Sequence, residues 1–232
     1  YYMPASNMKN FTVATAMERL GPDFRFRTDV LANAPIDANG VIVGPLTIKG
    51  GGDISISNGF DPAFPKQINP YWGIDLLVDK IIAAGVKRID GDIVGDESYF
   101  RGFAIPETWE WDDLQTYYGT EVSALPLNDN AIDISVMPGS VGNSCIARSL
   151  PANHIVRIVN TCVTVSSGGA NTLNVRKEMD QNVIEISGSI PAGTKEFRGS
   201  IALTRPAELF IELVKQRLEA KGVKVTGVTR LA

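Results

Sequence analysis

The stretch that decides the fold is residues 74–94, with the sequence IDLLVDKIIAAGVKRIDGDIV. Its first part, Ile74 to Gly85, carries apolar residues at helical spacing and ends at a glycine, which commonly follows the last turn of a helix. Its second part, Ile89 to Val94, predicts a strand. A helix leading at once into a strand is typical of β-α-β organisation, so this stretch predicts a compact α/β unit.

The residues before this stretch predict one helix and a strand-rich segment. Pro4 to Leu20 has helical spacing and is followed by Gly21 as a stop signal. Phe24 to Ile48 is strand-like, and the Asn39-Gly40 pair within it predicts a hairpin turn. Residues 49–53, KGGGD, predict a loop.

The residues after it change in character twice. Residues 109–128 are aromatic and rich in turn formers, as expected of a connector packed against another element. Short alternating runs from Ala131 to Ile190, separated by Gly, Asn and Pro, predict a small all-β module. The end of the chain predicts a strand at Ser200–Leu203, a helix at Pro206–Ala220 and a last strand at Val223–Val228.

Length and charge exclude several classes of protein. The 232 residues exceed the usual size of a single domain, so at least two units are expected. The 22 basic and 26 acidic residues give a net charge of −4, which disfavours a nucleic-acid partner. No apolar run reaches the roughly 18 residues that a membrane span needs, so no transmembrane segment is expected.

Two cysteines, Cys145 and Cys162, lie in strand-like segments seventeen positions apart. A disulfide between neighbouring strands and a pair of unbonded, buried thiols both fit this placement. His154 is the only histidine, so the ligands for a metal site are too few, and a Ser-His-Asp triad is disfavoured.

The best candidate for chemistry is Ser6-Asn7-Met8-Lys9 at the start of the first helix. Positions three apart share a helix face, so the Ser6 hydroxyl and the Lys9 ammonium are expected to lie within reach of one another. A serine nucleophile needs a base, and a lysine kept neutral by burial and nearby positive charge can act as one. By itself, S-x-x-K is a short motif that many chains carry by chance.

A longer set of motifs gives this tetrapeptide its context. These motifs cover most of the chain in a fixed order: MPASNMK (3–9), LGPDFRF (20–26), KGGGD (49–53), GVKRIDGDIVGD (85–96), WEWDD (109–113), ALPLNDN (124–130) and GVKVTG (222–227). In them the chain resembles the D-alanyl-D-alanine carboxypeptidase/endopeptidases, the class C low-molecular-mass penicillin-binding proteins, for which S-x-x-K is a signature.

The resemblance implies an α+β fold class: part of a serine penicillin-binding, β-lactamase/transpeptidase-like domain that carries an inserted α/β domain and a small all-β domain. The expected boundaries are residues 1–28 for the penicillin-binding segment, 29–126 for the α/β domain, 127–191 for the all-β domain and 192–232 for a segment returning to the first domain. The order of predicted helices and strands agrees with this division.

Two further motifs of the family, S-x-N and K-[ST]-G, are not found in these residues. The nearest sequence to the third motif, Lys49-Gly50-Gly51, lacks the hydroxyl residue and is interpreted as a turn. In the family both motifs lie downstream, so the chain is expected to be a fragment whose partner is the remaining half of the catalytic domain. Alone, it is expected to be inactive.

For the complete protein, the resemblance implies a serine-type D-Ala-D-Ala carboxypeptidase or endopeptidase of the periplasm or cell envelope. Ser6 would attack peptidoglycan stem peptides, Lys9 would act as general base, and β-lactams would acylate Ser6; no cofactor and no metal are implied. Asp96 would bind an ammonium group of the peptide, with Phe100 as an apolar wall, although a solvated turn carboxylate is equally compatible with Asp96.

Two alternatives stay open. A non-catalytic peptidoglycan- or protein-binding module on the same scaffold would keep the fold without the reaction. The aromatic group Trp109, Trp111, Tyr117 and Tyr118 suits core or inter-domain packing better than sugar stacking.

Overall fold

A computed structural model describes residues 2–232 of the chain. This part contains three α-helices: α1 (Met8–Leu20), α2 (Trp72–Ala83) and α3 (Pro206–Ala220). It also contains fifteen strands: β1 (Asp29–Ala32), β2 (Val41–Val43), β3 (Leu46–Lys49), β4 (Arg88–Asp90), β5 (Ile93–Asp96), β6 (Ala131–Met137), β7 (Ile146–Leu150), β8 (Arg157–Asn160), β9 (Val163–Val165), β10 (Asn174–Lys177), β11 (Val183–Ser187), β12 (Ser189–Pro191), β13 (Phe197–Ala202), β14 (Lys224–Val225) and β15 (Thr229–Leu231).

Three long parallel strands form the centre of the α/β unit, and each is interrupted once. β2 continues into β3, β4 into β5 and β14 into β15, and the pairing keeps one register on both sides of each interruption. β1 adds an antiparallel strand beside β3. The predicted turn at Asn39-Gly40 joins these two strands, because the Asp37 N–H donates to the Val41 carbonyl at 3.0 Å in the same register.

Glycines mark the three interruptions and lie side by side across the sheet. Gly44, Gly91 and Gly227 occupy equivalent positions, with Gly227 N–H donating to the Gly91 carbonyl at 3.1 Å. A Cβ on Gly91 would overlap the carbonyl of Gly44, and a Cβ on Gly227 would overlap the carbonyl of Gly91. At Gly91 and Gly227 the backbones therefore approach too closely for any side chain, whereas Gly44 has open space around it but a φ of +103°, which favours glycine.

Helices α2 and α3 cover the sheet, and an ion pair links them to each other. α2 buries Ile74 and Val78, and α3 packs against β5, β14 and β15 through an apolar face that includes the fully buried Phe210. Arg217 of α3 donates to both carboxylate oxygens of Asp75 in α2, at 2.8 and 3.1 Å. The bounds of α3 match the prediction, with Pro206 in its first turn and Gly222 just beyond its end.

The all-β unit combines a three-stranded antiparallel sheet in the order β13-β6-β7 with parallel pairing of β11 to β8 and of β12 to β9. Cys145 and Cys162 form a disulfide with their Cα atoms 5.4 Å apart. Of the two states that the sequence left open for these cysteines, the bonded one is therefore present. The Cys145 N–H also donates to the Cys162 carbonyl at 2.9 Å, so the bridge joins segments that are already paired.

The end of the chain differs from the expected return segment 192–232. β13 pairs along its whole length with β6, which extends the all-β unit to Ala202. β14 and β15 pair with β4 and β5, and α3 lies against α2, so residues 206–231 complete the α/β unit. Pairing between strands that are distant in the sequence sets this boundary, and local patterns do not encode it.

Helix α1 stands apart from both units. Every residue from Tyr2 to Leu20 is exposed, including Phe11 at 68% and Val13 at 59% of full exposure. Val13, Met17 and Leu20 share one apolar face at positions i, i+4 and i+7, and no described residue of the chain covers it. An apolar helix face left open to water normally marks a surface that another polypeptide segment covers. Within residues 2–232, no helix has the length and apolar character needed to cross a membrane.

Candidate active site

Ser6 and Lys9 lie together at the start of the first helix, as their spacing predicts. A short 3₁₀ turn, Ala5–Asn7, leads directly into α1, and the Asn7 N–H donates to the Pro4 carbonyl at 2.9 Å. Ser6 therefore sits one turn before Lys9 on the same side. The Lys9 ammonium donates a hydrogen bond to the Ser6 hydroxyl oxygen at 2.9 Å.

This pair can exchange a proton, because the donor and acceptor atoms are already in contact. Both side chains are exposed, since nothing in residues 2–232 packs over α1. A lysine that acts as a base in an enzyme is normally shielded from water by its surroundings. Among the described residues, Ser6 and Lys9 are in contact but have no such cover.

Asp96 ends β5, and its carboxylate is already engaged by its own turn. The Ser98 N–H donates to Asp96 Oδ1 at 2.8 Å, and hydrogen bonds from Ser98 hold the pKa of Asp96 below its ordinary value. Lys49, the register partner of Asp96 in β3, lowers that pKa further by its charge. Asp96 is therefore an ionised carboxylate at neutral pH, and its charge would attract an ammonium group.

Phe100 lies in a different setting from Asp96. Its ring packs edge-on against Tyr99 at 5.2 Å between centroids and covers the Cα of Gly52. It lines a cleft of about 570 Å³ together with Trp109, Tyr117 and Tyr118. Asp96 is not among the residues that line this cleft.

The cleft changes the interpretation of the aromatic group. The sequence favoured packing inside a core or between domains, yet Tyr117 and Tyr118 are 63% and 58% exposed and meet edge to face at 5.4 Å. Composition gives the number of aromatic residues in a segment but not the side on which they lie. The Tyr118 hydroxyl donates a hydrogen bond to the Asp113 carboxylate at 2.9 Å, which fixes the position of the ring.

The glycine run at 50–52 is a packed turn, in agreement with the interpretation of Lys49-Gly50-Gly51. A Cβ on Gly50 would overlap the Ala124 carbonyl, and one on Gly51 would overlap the Arg27 carbonyl. These glycines allow neighbouring backbone segments to approach, and they present no hydroxyl group to a substrate.

A buried polar cluster, which sequence patterns did not single out, joins the two units. Lys177 is 5% exposed and donates to the Thr204 hydroxyl at 2.6 Å, while Glu121 accepts the Arg205 N–H at 2.8 Å. Burial lowers the pKa of Lys177 and raises the pKa of Glu121. The alternation of β10 contains the relevant signal, because a period of two places Lys177 on the same face as Val175.

The candidate residues thus lie in three places. Ser6 and Lys9 are in contact, Asp96 ends β5 in its own turn, and Phe100 lines the aromatic cleft; among residues 2–232 no hydrogen bond or salt bridge joins the three. The described residues contain no cluster of three or more His, Cys, Asp or Glu side chains that could hold a metal ion.

The fold is that of a penicillin-binding protein. The crystal structure of penicillin binding protein 4 (dacB) from Haemophilus influenzae matches with a TM-score of 0.76 and 23% identity, over 99% of this chain and 48% of that one. A structure of the same protein complexed with a β-lactam matches with a TM-score of 0.63 and 22% identity, over 99% of this chain and 46% of that one. At such identities the likeness concerns the fold, and the predicted α+β class is confirmed.

The family model for D-Ala-D-Ala carboxypeptidase 3 (S13) matches residues 1–232, and the chain belongs to this family. A D-alanyl-D-alanine carboxypeptidase from Actinomadura sp. (strain R39) is 29% identical over 231 residues, covering 97% of this chain and 40% of that protein. The D-alanyl-D-alanine carboxypeptidase DacB from Haemophilus influenzae is 23% identical over 232 residues, covering 98% of this chain and 45% of that protein. The chain spans less than half the length of these relatives, and the predicted family resemblance is confirmed.

Proposed function

We propose that the complete protein is a serine-type D-Ala-D-Ala carboxypeptidase or endopeptidase that acts on peptidoglycan stem peptides in the periplasm or cell envelope. The observation that carries this proposal is the contact of 2.9 Å between the Ser6 hydroxyl and the Lys9 ammonium. Membership of the family supplies the substrate class.

In the proposed reaction, neutral Lys9 takes the proton of the Ser6 hydroxyl as Oγ attacks the penultimate D-Ala carbonyl carbon. The tetrahedral intermediate collapses, the C–N bond breaks, and the terminal D-Ala amine leaves with a proton. Water then hydrolyses the acyl-Ser6 ester and restores the hydroxyl. The Ser6 N–H would be one donor to the oxyanion, and a β-lactam would form the same ester by opening its ring.

The remaining half of the catalytic domain is part of this proposal. The uncovered apolar face of α1 supports it, because Val13, Met17 and Leu20, at positions i, i+4 and i+7, need a partner that removes them from water. The same cover would shield Ser6 and Lys9 from water. We therefore expect no acylation of the present chain by labelled penicillin unless a segment carrying S-x-N and K-[ST]-G accompanies it.

The test uses labelled penicillin on the complete protein. Ser6→Ala is expected to abolish covalent labelling, and Lys9→Ala is expected to slow it by about 10³-fold or more, since general bases contribute on that scale. Arg19→Ala, which removes a cation from the last turn of the same helix, is the control and should label normally. Unchanged labelling of Lys9→Ala would remove Lys9 from the mechanism.

A non-catalytic peptidoglycan- or protein-binding module is the second candidate. The exposed position of Ser6 and Lys9 in the described residues favours it. Failure of the folded, complete protein to label at Ser6 would establish this alternative over the enzyme.

We also propose that Asp96 and Phe100 contact the stem peptide, Asp96 through an ammonium group and Phe100 through apolar contact. Asp96→Asn should raise KM for a peptide with a side-chain ammonium but not for one without it. Asp53→Asn is a matched control, because Asp53 holds the Ser55 N–H at 3.0 Å in the same kind of turn. Equal effects of the two substitutions would assign Asp96 to its turn alone.

A further inference from the structure

A second cleft, of about 620 Å³, separates the segment 64–70 from the three-stranded sheet β13-β6-β7. We propose that it binds an extended acidic peptide, with apolar side chains against the segment 64–70 and a carboxylate attracted by Lys66 in the cleft and by Arg148 on the sheet face beside it. The cleft contains neither Ser6 nor Lys9, so this inference does not rest on the proposed hydrolase activity.

One wall of the cleft is apolar and open to water. Phe64, Pro65, Ile68 and Pro70 line it from the α/β unit, and Leu150 faces it from β7. Phe64 is 43% exposed and Ile68 is 42% exposed, although both are large apolar side chains. Contact with apolar side chains of a ligand would remove this surface from water, which is favourable.

The opposite wall is the outward face of the sheet, and its register places polar groups in two rows. Ser200, Asp133 and Leu150 lie opposite one another across the three strands, and Arg198, Ser135 and Arg148 form the next row. The Ser200 hydroxyl donates to Asp133 at 2.6 Å. Carboxylate and hydroxyl groups on this face can accept or donate hydrogen bonds to the amides of an extended main chain.

The charged side chains around the cleft favour a negatively charged ligand. Arg198 is paired with Glu196 at 2.6 Å, whereas Lys66 and Arg148 form no salt bridge within residues 2–232. Both side chains are exposed: Lys66 lines the cleft, whereas Arg148 lies outside its lining, next to Ser135 in the sheet register, where its charge also acts on Glu196. Two cations that form no salt bridge, one in the cleft and one beside it, favour a carboxylate on the ligand.

The polar sheet face also selects a peptide over other anions. A fatty acyl chain in the cleft would take water from the Asp133 carboxylate, whose one bond from Ser200 leaves acceptor capacity unfilled, and burying a charged group in this way is unfavourable. A nucleic acid would bring several phosphates close to Asp133 and Glu196, which repel them. A peptide supplies N–H groups for these acceptors and can place its carboxylate away from them.

The test is fluorescence anisotropy of the present chain with the labelled peptide acetyl-Glu-Phe-Val-Glu-amide and its counterpart acetyl-Lys-Phe-Val-Lys-amide. The acidic peptide is expected to bind about tenfold more tightly, with binding weakened by added salt. Lys66→Glu and Arg148→Glu should each weaken it by about fivefold, and Glu196→Gln should strengthen it by removing a competing carboxylate.

Lys224→Glu is the matched control, because Lys224 is exposed on β14, outside both the cleft lining and the sheet β13-β6-β7; its binding should equal that of the unchanged chain. Equal affinity for the two peptides, or equal effects of Lys66→Glu and Lys224→Glu, would overturn the proposal. Stronger binding to phosphatidylglycerol vesicles than to the acidic peptide would also overturn it. Lys66 lies in an exposed segment, so Lys66→Glu keeps the test valid if Arg148→Glu fails to fold.

Discussion

Replacing Arg217 with methionine tests whether helix α3 docks on helix α2 in solution. The guanidinium makes two hydrogen bonds to Asp75, at 2.8 and 3.1 Å, and lies 4.8 Å from the centroid of the Tyr71 ring. Methionine keeps most of the aliphatic volume of arginine but loses the charge, so packing is largely preserved while the ion pair is removed.

The magnitude follows from the burial of these groups. The side chains of Arg217 and Asp75 are 26% and 20% exposed, so the pair lies between a surface ion pair worth under about 1 kcal/mol and a buried one whose loss costs about 3–5 kcal/mol. The contact with Tyr71 adds about 0.5–1 kcal/mol. Lys221 also reaches Asp75 at 3.3 Å and keeps its charge partly compensated. We therefore expect Arg217→Met to lower the free energy of unfolding by about 2–3 kcal/mol.

The assay is urea unfolding of the chain and of Arg217→Met, Asp75→Asn and the double variant. The double-mutant cycle should give a coupling energy of about 1–2 kcal/mol. Lys80→Met is the control, because Lys80 is exposed on α2 and forms no salt bridge in the described residues; it should change stability by less than about 0.5 kcal/mol. A coupling energy below about 0.3 kcal/mol would refute the docking of α3 on α2.

Three further perturbations test the two units. Replacing Cys145 and Cys162 together with alanine should lower the unfolding free energy by about 3 kcal/mol, because the bridge closes a separation of 17 residues; urea unfolding that shows a loss below about 1 kcal/mol would contradict this. Gly91→Ala should lower the melting temperature by several degrees through overlap with Gly44, whereas Gly168→Ala, which has open space, should not; equal shifts would contradict the close approach. Burial raises the pKa of Glu121, so the contribution of its protonated form to stability is full below pH 4.5 and is lost as the pH rises through the folded pKa. The unchanged chain should therefore lose stability relative to Glu121→Gln between pH 4.5 and neutral pH. A stability difference that stays constant over this range would exclude the titration.

Local sequence patterns predicted the helices and strands of this chain better than they predicted which of these elements pack together. The helix at 206–220 has the predicted bounds because Pro206 and Gly222 act within one turn of its ends. Its docking on α2 depends on Asp75 and Arg217, which are 142 positions apart. Apolar periodicity identifies the face that is buried, but it contains no information about which surface buries it.

The candidate site also combines a contact that follows from sequence spacing with a cleft that depends on long-range packing. The contact of Ser6 with Lys9 follows from a spacing of three residues, and the structure has it at 2.9 Å. The cleft around Phe100 needs Trp109 and Tyr117, and their position depends on how the segment 97–123 crosses the α/β unit. The sequence contains these aromatic residues, but it does not indicate which side of a connector faces water.

Strand β15 is synthesised long after β5, with which it pairs, and this delay has a consequence for biosynthesis. A ribosome, or an export channel that passes the amino end first, delivers β5 long before β15, and the intervening residues belong mostly to the all-β unit. During that delay the edge of Ile93–Asp96 has no neighbour on one side, and unpaired edges of this kind invite association with other chains. A chaperone that shields the nascent chain would bind at this edge. It would be displaced when Thr229–Leu231 has been synthesised and pairs with β5.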